Sequence, residues 1–391
     1  MNVQVINNWP VKIWTDTVED SAMQQIENLT TLPFLFHHLA IMPDVHCGFG
    51  MPIGGVLACR DAVVPNAVGV DIGCGMCAVK TNVKYSRITK KFISENILTK
   101  IRERVPLDTE HHKEAQDEKY MPEGYDLDRL HVVGHQYDSA RRQVGTLGGG
   151  NHFIELQKDE QGYMWIMIHS GSRNLGKQVG DYYNKVARQL NAIWYSSVDP
   201  SIKLPFLPLK SEEFSKYWAE MEYCIDFAFC NRKLIMQRIE EIISDALPRA
   251  EFEPMINIAH NYAKRETHFN EDVIIHRKGA TSAYKGEIGI IPGSQGSASY
   301  IVEGLGNKES FCSCSHGAGR AMSRKMAIDM LDIDEENKRL RKLGVIHKLQ
   351  DKRELQEAAS AYKDIETVMA NEADLVKIKN RLMPVAVIKG V

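Results

Sequence analysis

Val70-Asp71-Ile72-Gly73-Cys74-Gly75 sets two deprotonatable side chains in a loop of small residues. Glycines at 69, 73 and 75 let backbone and side chains come close to an ion. A thiolate in such a loop can bridge two divalent metals; the plainer alternative is a turn around a buried, inert cysteine. The surrounding segment, Asp44 to Lys80, reads as short strands and tight turns. Further out, residues 86–145 are richer in charge and helical in part, and Met164 to His169 is a short apolar strand ending in a polar loop. Trp218, Met221, Ile225 and Phe229 recur at about four-residue steps, which predicts a helix over 211–246. Val273 to His276 and Glu287 to Ile291 read as strands, 320–350 and 352–378 as helices, and Pro384 to Ile388 as a last strand. This order is mixed α+β without a regular βαβ rhythm. No linker or internal repeat divides it, so the expectation is a single domain over residues 1–391.

The chain has 391 residues, 43% of them hydrophobic, enough for a substantial core. A net charge of -3 excludes a globally basic nucleic-acid binder but leaves room for a local basic groove. Met1 to Asp20 lacks an apolar h-region, so no secretory signal is expected. The apolar run Pro33-Phe34-Leu35-Phe36 stops at His37 and His38, far short of the roughly 20 residues of a membrane span. Eight cysteines in a chain this long do not suggest a disulfide scaffold, and a reduced cytoplasmic setting is expected.

Histidines recur in similar loops. His152 follows Gly148-Gly149-Gly150-Asn151, His169 opens Ser170-Gly171-Ser172-Arg173, and His260 precedes Asn261-Tyr262. Any one of them alone reads more readily as a hydrogen-bonded structural histidine. Together with Asp71 and Cys74 they make five candidate ligands in loops or at element ends, enough for two adjacent divalent ions. Cysteine and histidine ligands alone suggest zinc, and added phosphate or carboxylate oxygens favour manganese; the side chains do not choose. Cys74-Gly75-Met76-Cys77 is also a CxxC, but it lacks a thioredoxin-like context, and Cys312-Ser313-Cys314 is too tight to complete a zinc knuckle.

In Ser315-His316-Gly317-Ala318-Gly319-Arg320 the imidazole has room on all sides. It can attack phosphorus and form a phosphoramidate, provided a partner fixes its tautomer. Asp44, in Met42-Pro43-Asp44-Val45-His46, is a candidate for that partner. The alternative is a helix N-terminus built from small residues, with Arg320 and Arg324 as surface charges. Pro292-Gly293-Ser294-Gln295-Gly296-Ser297-Ala298-Ser299 suits phosphate or ribose but is not a Walker loop. His276-Arg277-Lys278-Gly279-Ala280-Thr281, Arg173 and Lys177 offer local positive charge.

Taken in this order, the motifs resemble the RtcB family of RNA-splicing ligases, and the match spans nearly the whole chain. Lys389-Gly390 also fits, with Val391 beyond the usual ending; Gly148-Gly149-Gly150 and Cys47-Gly48-Phe49-Gly50 are variants of family positions. The resemblance implies a mixed α+β domain around a deep cleft that holds a dinuclear metal site. It implies GTP and two Mn²⁺ as cofactors, and archease-type activators in some organisms. Cys74 would bridge the two ions, Asp71 and His152 completing one site and His169 and His260 the other. His316 would carry GMP and Asp44 would orient it. GTP contacts would fall to Asn151, Phe153, Glu155, Ser294, Ser299, Ala318, Gly319, Tyr362 and Lys389. The substrates would be RNA 3′-phosphate or 2′,3′-cyclic phosphate ends and 5′-hydroxyl ends, in tRNA splicing or RNA repair. A two-metal phosphoesterase acting on RNA ends without guanylylation is the rival reading, and a catalytically silent RNA-binding relative is a third. Cys77, beside the expected bridging thiolate, suggests a redox switch through a Cys74–Cys77 disulfide.

Overall fold

Tyr163–Ser170 is apolar at nearly every position and buried throughout, the pattern of a strand covered on both faces. It is the third of seven strands, in the order Ile256–Ala259, Gly75–Lys84, Tyr163–Ser170, Phe153–Lys158, Val376–Lys389, Ser299–Gly304 and Ile288–Ile291. A second sheet of six runs Asn2–Ile6, Trp9–Ile13, Leu35–His46, Ile53–Cys59, Glu271–Lys278 and Asn261–His268. Pairing is antiparallel except between Trp9–Ile13 and Leu35–His46. The computed structural model describes residues 1–390, so Val391 lies outside the described residues. Helix and strand are mixed as the element order predicted, and no described helix is long and apolar enough to cross a membrane.

The helix expected over 211–246 is Glu212–Ala246. The Ser211 side chain accepts from the Phe214 N–H, and Glu212 and Glu213 complement the helix dipole. Its core face differs from the predicted one. Met221 is fully buried, whereas Trp218, Ile225 and Phe229 are only partly so. The buried stripe runs through Phe214, Tyr217, Met221, Cys224, Phe227, Asn231, Leu234 and Ile235. A polar pair, Asn231-Arg232, interrupts it, and that pair faces the site described below.

The C-terminal third departs most from expectation. Residues 320–350 hold two short helices, Arg324–Met330 and Ile333–Leu343. Asp332 caps the second, and Gly344 ends it at φ 77°. Residues 352–378 are not a helix: two 3₁₀ turns precede the helix Ile365–Asn371, and Val376 already opens the last strand. Alanines at 358, 359 and 361 favour helix, but Tyr362 pairs with Arg320 and donates its hydroxyl to the buried Glu357. Tertiary pairing has overridden local propensity.

The chain passes from the seven-stranded sheet to the six-stranded one at a single residue. Ile256–Ala259 ends in the first and Asn261–His268 begins in the second, with His260 between them.

Candidate active site

The five expected metal ligands, far apart in the chain, form a spatial row. Asp71 Oδ2 lies 3.1 Å from His152 Nε2. Cys74 Sγ is 3.5 Å from His152 Nε2 and 3.3 Å from His169 Nε2, which is itself 3.3 Å from His260 Nε2. The ligand atoms of Cys74, His152 and His169 all lie within 4.8 Å of one another. The sulfur therefore sits mid-row, a carboxylate and one imidazole on one side and two imidazoles on the other.

Backbone carbonyls fix the tautomers. His152 Nδ1–H donates to the Leu147 carbonyl at 3.0 Å, and His169 Nδ1–H to the Asn151 carbonyl at 3.1 Å. Each Nε2 thus faces the row with a free lone pair, the usual outer support of a metal-binding imidazole. His260 Nδ1 is buried without a partner. Burial drives the His169 and His260 rings well below their ordinary pKa, so both rings are neutral. Burial raises the Asp71 carboxyl, but the His152 ring outweighs it and holds the group at about 2. Three imidazoles, a carboxylate and a thiol, four of the five side chains buried, fit the chemistry of divalent ions.

Arg232 and Asn231, which the sequence reading did not single out, hold the loops that carry these ligands. Arg232 Nη1 donates to the Gly73 and Ser170 carbonyls at 2.9 and 2.8 Å, and its Nε to Asn257 at 2.7 Å. Asn231 accepts from the Gly145 and Thr146 N–H groups and donates to Ser170 Oγ and the Gly171 carbonyl. Two polar residues on the apolar face of a long helix were the available signal. Asn261 ties the Asp71 carbonyl to the Gly279 N–H, joining the row to the neighbouring histidine loop.

That loop carries His316. Its Nδ1–H donates to Asp44 Oδ2 at 2.6 Å, and its backbone N–H donates to the same oxygen at 3.1 Å. The ring Nε2 is left with its lone pair, and the ring lies 4.9 Å centre to centre from His260. Burial disfavours the Asp44 carboxylate, yet the His316 ring beside it brings its pKa below the ordinary value. Gly279, at φ 58°, packs against the ring; a Cβ there would sit 3.1 Å from His316 Cε1. His46 lies behind, its Nδ1–H on the Asp44 carbonyl.

His316, His169 and His260 open into a cleft of about 570 Å³. Asn151, Phe153, Glu155, Ser294, Ala318, Gly319, Tyr362 and Lys389 line it, as do Arg320 and Arg324. Ser299 does not: its Oγ lies behind the wall, accepting from Gln157 and the Gly293 N–H. Burial pushes the Glu155 carboxyl up to about 7, with Lys389 opposing. Cys77 makes no hydrogen bond to the row. It packs in an apolar cluster, its Sγ on the Arg232 carbonyl, with burial raising the thiol to about 12. An enclosed neutral thiol is poorly suited to the disulfide switch suggested by its place beside the expected bridging thiolate.

A metal-fitting row beside a carboxylate-held histidine, opening into a nucleotide-sized cleft, defines a metal-dependent group-transfer enzyme. The family model described as tRNA-splicing ligase RtcB matches residues 25–390. The RNA-splicing ligase RtcB of Escherichia coli K12 is 37% identical, with all of both chains covered. The tRNA-splicing ligase RtcB of Thermococcus kodakarensis is 30% identical, over 95% of this chain and 92% of its own. The RNA-splicing ligase RtcB homolog 1 of Entamoeba dispar is 32% identical, over 99% and 83%. The chain belongs to the RtcB family.

Proposed function

We propose that this chain, as one ligase unit over residues 1–391, joins RNA 3′-phosphate or 2′,3′-cyclic phosphate ends to 5′-hydroxyl ends. GTP and two Mn²⁺ serve the reaction, and His316 carries GMP. Asp71, Cys74 and His152 would hold one ion, and Cys74, His169 and His260 the other. The observation that carries the reading is His316, held by Asp44 with Nε2 free, beside the row of ligands.

His316 Nε2 attacks the α-phosphorus of GTP, the P–N bond forms and pyrophosphate leaves. Asp44 retains the Nδ1 proton and stabilises the cationic ring. The divalent ions would neutralise phosphate charge and stabilise the leaving group. An oxygen of the RNA 3′-phosphate then displaces His316 and takes GMP. The 5′-hydroxyl attacks the RNA phosphorus of that anhydride, GMP departs and the phosphodiester closes. A cyclic phosphate is first opened by water. Activation is required because a phosphate dianion is a poor electrophile. Glu155, Asn151, Ser294 and Lys389 would contact the nucleotide, and Phe153 and Tyr362 would pack on it; that all six line the cleft supports this.

A phosphoesterase would need the metals but has no use for a carboxylate-locked His316, so that reading ranks below the ligase. Residence in the reduced cytoplasm agrees with eight free cysteines. An archease-type activator is part of the proposal, as is use in tRNA splicing or repair. The test is incubation with α-labelled GTP and Mn²⁺. Acid-labile, alkali-stable label on the protein, lost in His316→Ala, supports the reading. A metal-loaded, activator-supplemented protein that takes no label overturns it.

A further inference from the structure

Another cavity has a volume of about 440 Å³. Phe49, Asn184, Arg188, Tyr195, Asp199 and Lys203 line it. Its size falls in the range of small-ligand sites. Its composition is unusual for a surface hollow: Tyr195 is 93% exposed and Phe49 56% exposed, and two cations stand with them. Lys203 Nζ lies 5.1 Å from the centre of the Phe49 ring. Exposed aromatic faces among cations call for a flat ligand that carries negative charge nearby. Every RNA base offers a ring face next to its phosphates, and stacking on aromatic rings beside basic side chains is how single strands are held.

The cavity is fastened to the catalytic cleft. Cys47 lines the cleft and Phe49 the cavity, two residues and at most about 7 Å along the chain. Gly50, at φ 74°, lets the Phe49 loop close onto the Lys203 carbonyl, which a Cβ would meet at 2.8 Å. Asn66 Nδ2 donates to that same carbonyl at 2.7 Å. Lys278 Nζ donates to the Phe49 and Asn66 carbonyls at 2.6 and 2.8 Å, and the next residue, Gly279, packs on His316.

We propose that this cavity seats a nucleobase of the single-stranded RNA whose end lies at His316, one or two nucleotides from the join. The base stacks on Phe49 or Tyr195, while Arg188 and Lys203 face the flanking phosphates. The identity of the strand rests on the ligase reading above.

The test uses the full chain with Mn²⁺ and an unstructured RNA of about ten nucleotides, 3′-labelled and 5′-hydroxylated. Phe49→Ala and Tyr195→Ala should each weaken binding about tenfold, and Phe49→Tyr should restore it. Guanylylation of His316 should stay unchanged in all three. A 4-thiouridine one or two nucleotides from the end should crosslink to Phe49 or Tyr195. Unchanged RNA affinity in the double alanine variant overturns the proposal, as does full rescue by Phe49→Leu, which supplies no ring face. Loss only of the response to an added protein activator also overturns it and makes the cavity a protein-docking site. RNA bound at this cavity by a chain that takes no label from GTP upholds the site and removes the ligase reading.

Discussion

Asp44→Asn isolates the charge behind His316 from the geometry. In triads where an amide can turn its N–H toward the ring, the wrong tautomer results and rates fall about 10⁴-fold. Here the amide is constrained. Asp44 Oδ2 accepts from both the ring and the backbone N–H of His316, so two donors demand an oxygen at that position. The other carboxylate oxygen, Oδ1, is buried without a partner, so an –NH₂ in its place loses no hydrogen bond. Asparagine should therefore keep its oxygen on His316 and leave Nε2 free. What is lost is the difference between a charge-assisted and a neutral hydrogen bond, about 1–2 kcal/mol. Guanylylation should slow only about 5- to 30-fold. Asp44→Ala, which frees the tautomer and leaves the His316 backbone N–H unpaired, should slow it about 10³-fold or more. The assay is single-turnover incorporation of labelled GMP at saturating GTP and Mn²⁺. An asparagine variant as slow as the alanine variant, with both folded, would refute the two-donor argument.

Arg232→Met takes the donor from the Gly73 and Ser170 carbonyls and from Asn257 Oδ1, at a cost of about 3–5 kcal/mol. Urea unfolding of the chelated protein should show that loss, and calorimetry should show weaker metal binding, since those carbonyls flank Cys74 and His169. Gly279→Ala should lower guanylylation more than stability, because a Cβ meets Ile53 Cγ2 at 2.2 Å and His316 Cε1 at 3.1 Å at a φ of 58°; an unchanged labelling rate would contradict that packing. Glu155, raised to about 7, binds its proton more tightly when folded than when unfolded. Its contribution to stability is therefore greatest below the unfolded pKa and falls as pH rises through about 7. GTP affinity should move the opposite way, improving as the carboxylate ionises, and Glu155→Gln should flatten the profile measured by KM for GTP.

The candidate site was more legible than the fold that carries it. Short polar strings such as Asp71-Ile72-Gly73-Cys74 and Ser315-His316-Gly317 show their chemistry locally, because a loop ligand needs only its neighbours' small size. The partnership of Asp44 with His316 spans 272 residues and still suggested itself, since a nucleophilic imidazole must have an acceptor behind it. The long helix was readable from its periodicity, but its burial phase was not. Apolar residues occur on more than one face, and only the packed molecule shows that Asn231-Arg232 turns inward. Residues 352–378 failed for a related reason: their alanines favour helix, while Tyr362 and Glu357 are recruited to the cleft wall by contacts that no local window contains. Ser299 looked like a ligand contact because a serine loop offers hydroxyls, but strand pairing turns this one toward Gln157.

His260 is a candidate ligand and also the only residue between a strand of one sheet and a strand of the other. Any substitution that tilts one sheet against the other is felt first as a change in ligand spacing. Lineages of this enzyme would then inherit their metal preference from the architecture at large, and drift in either sheet must be matched by drift in its counterpart for the same ion to be retained.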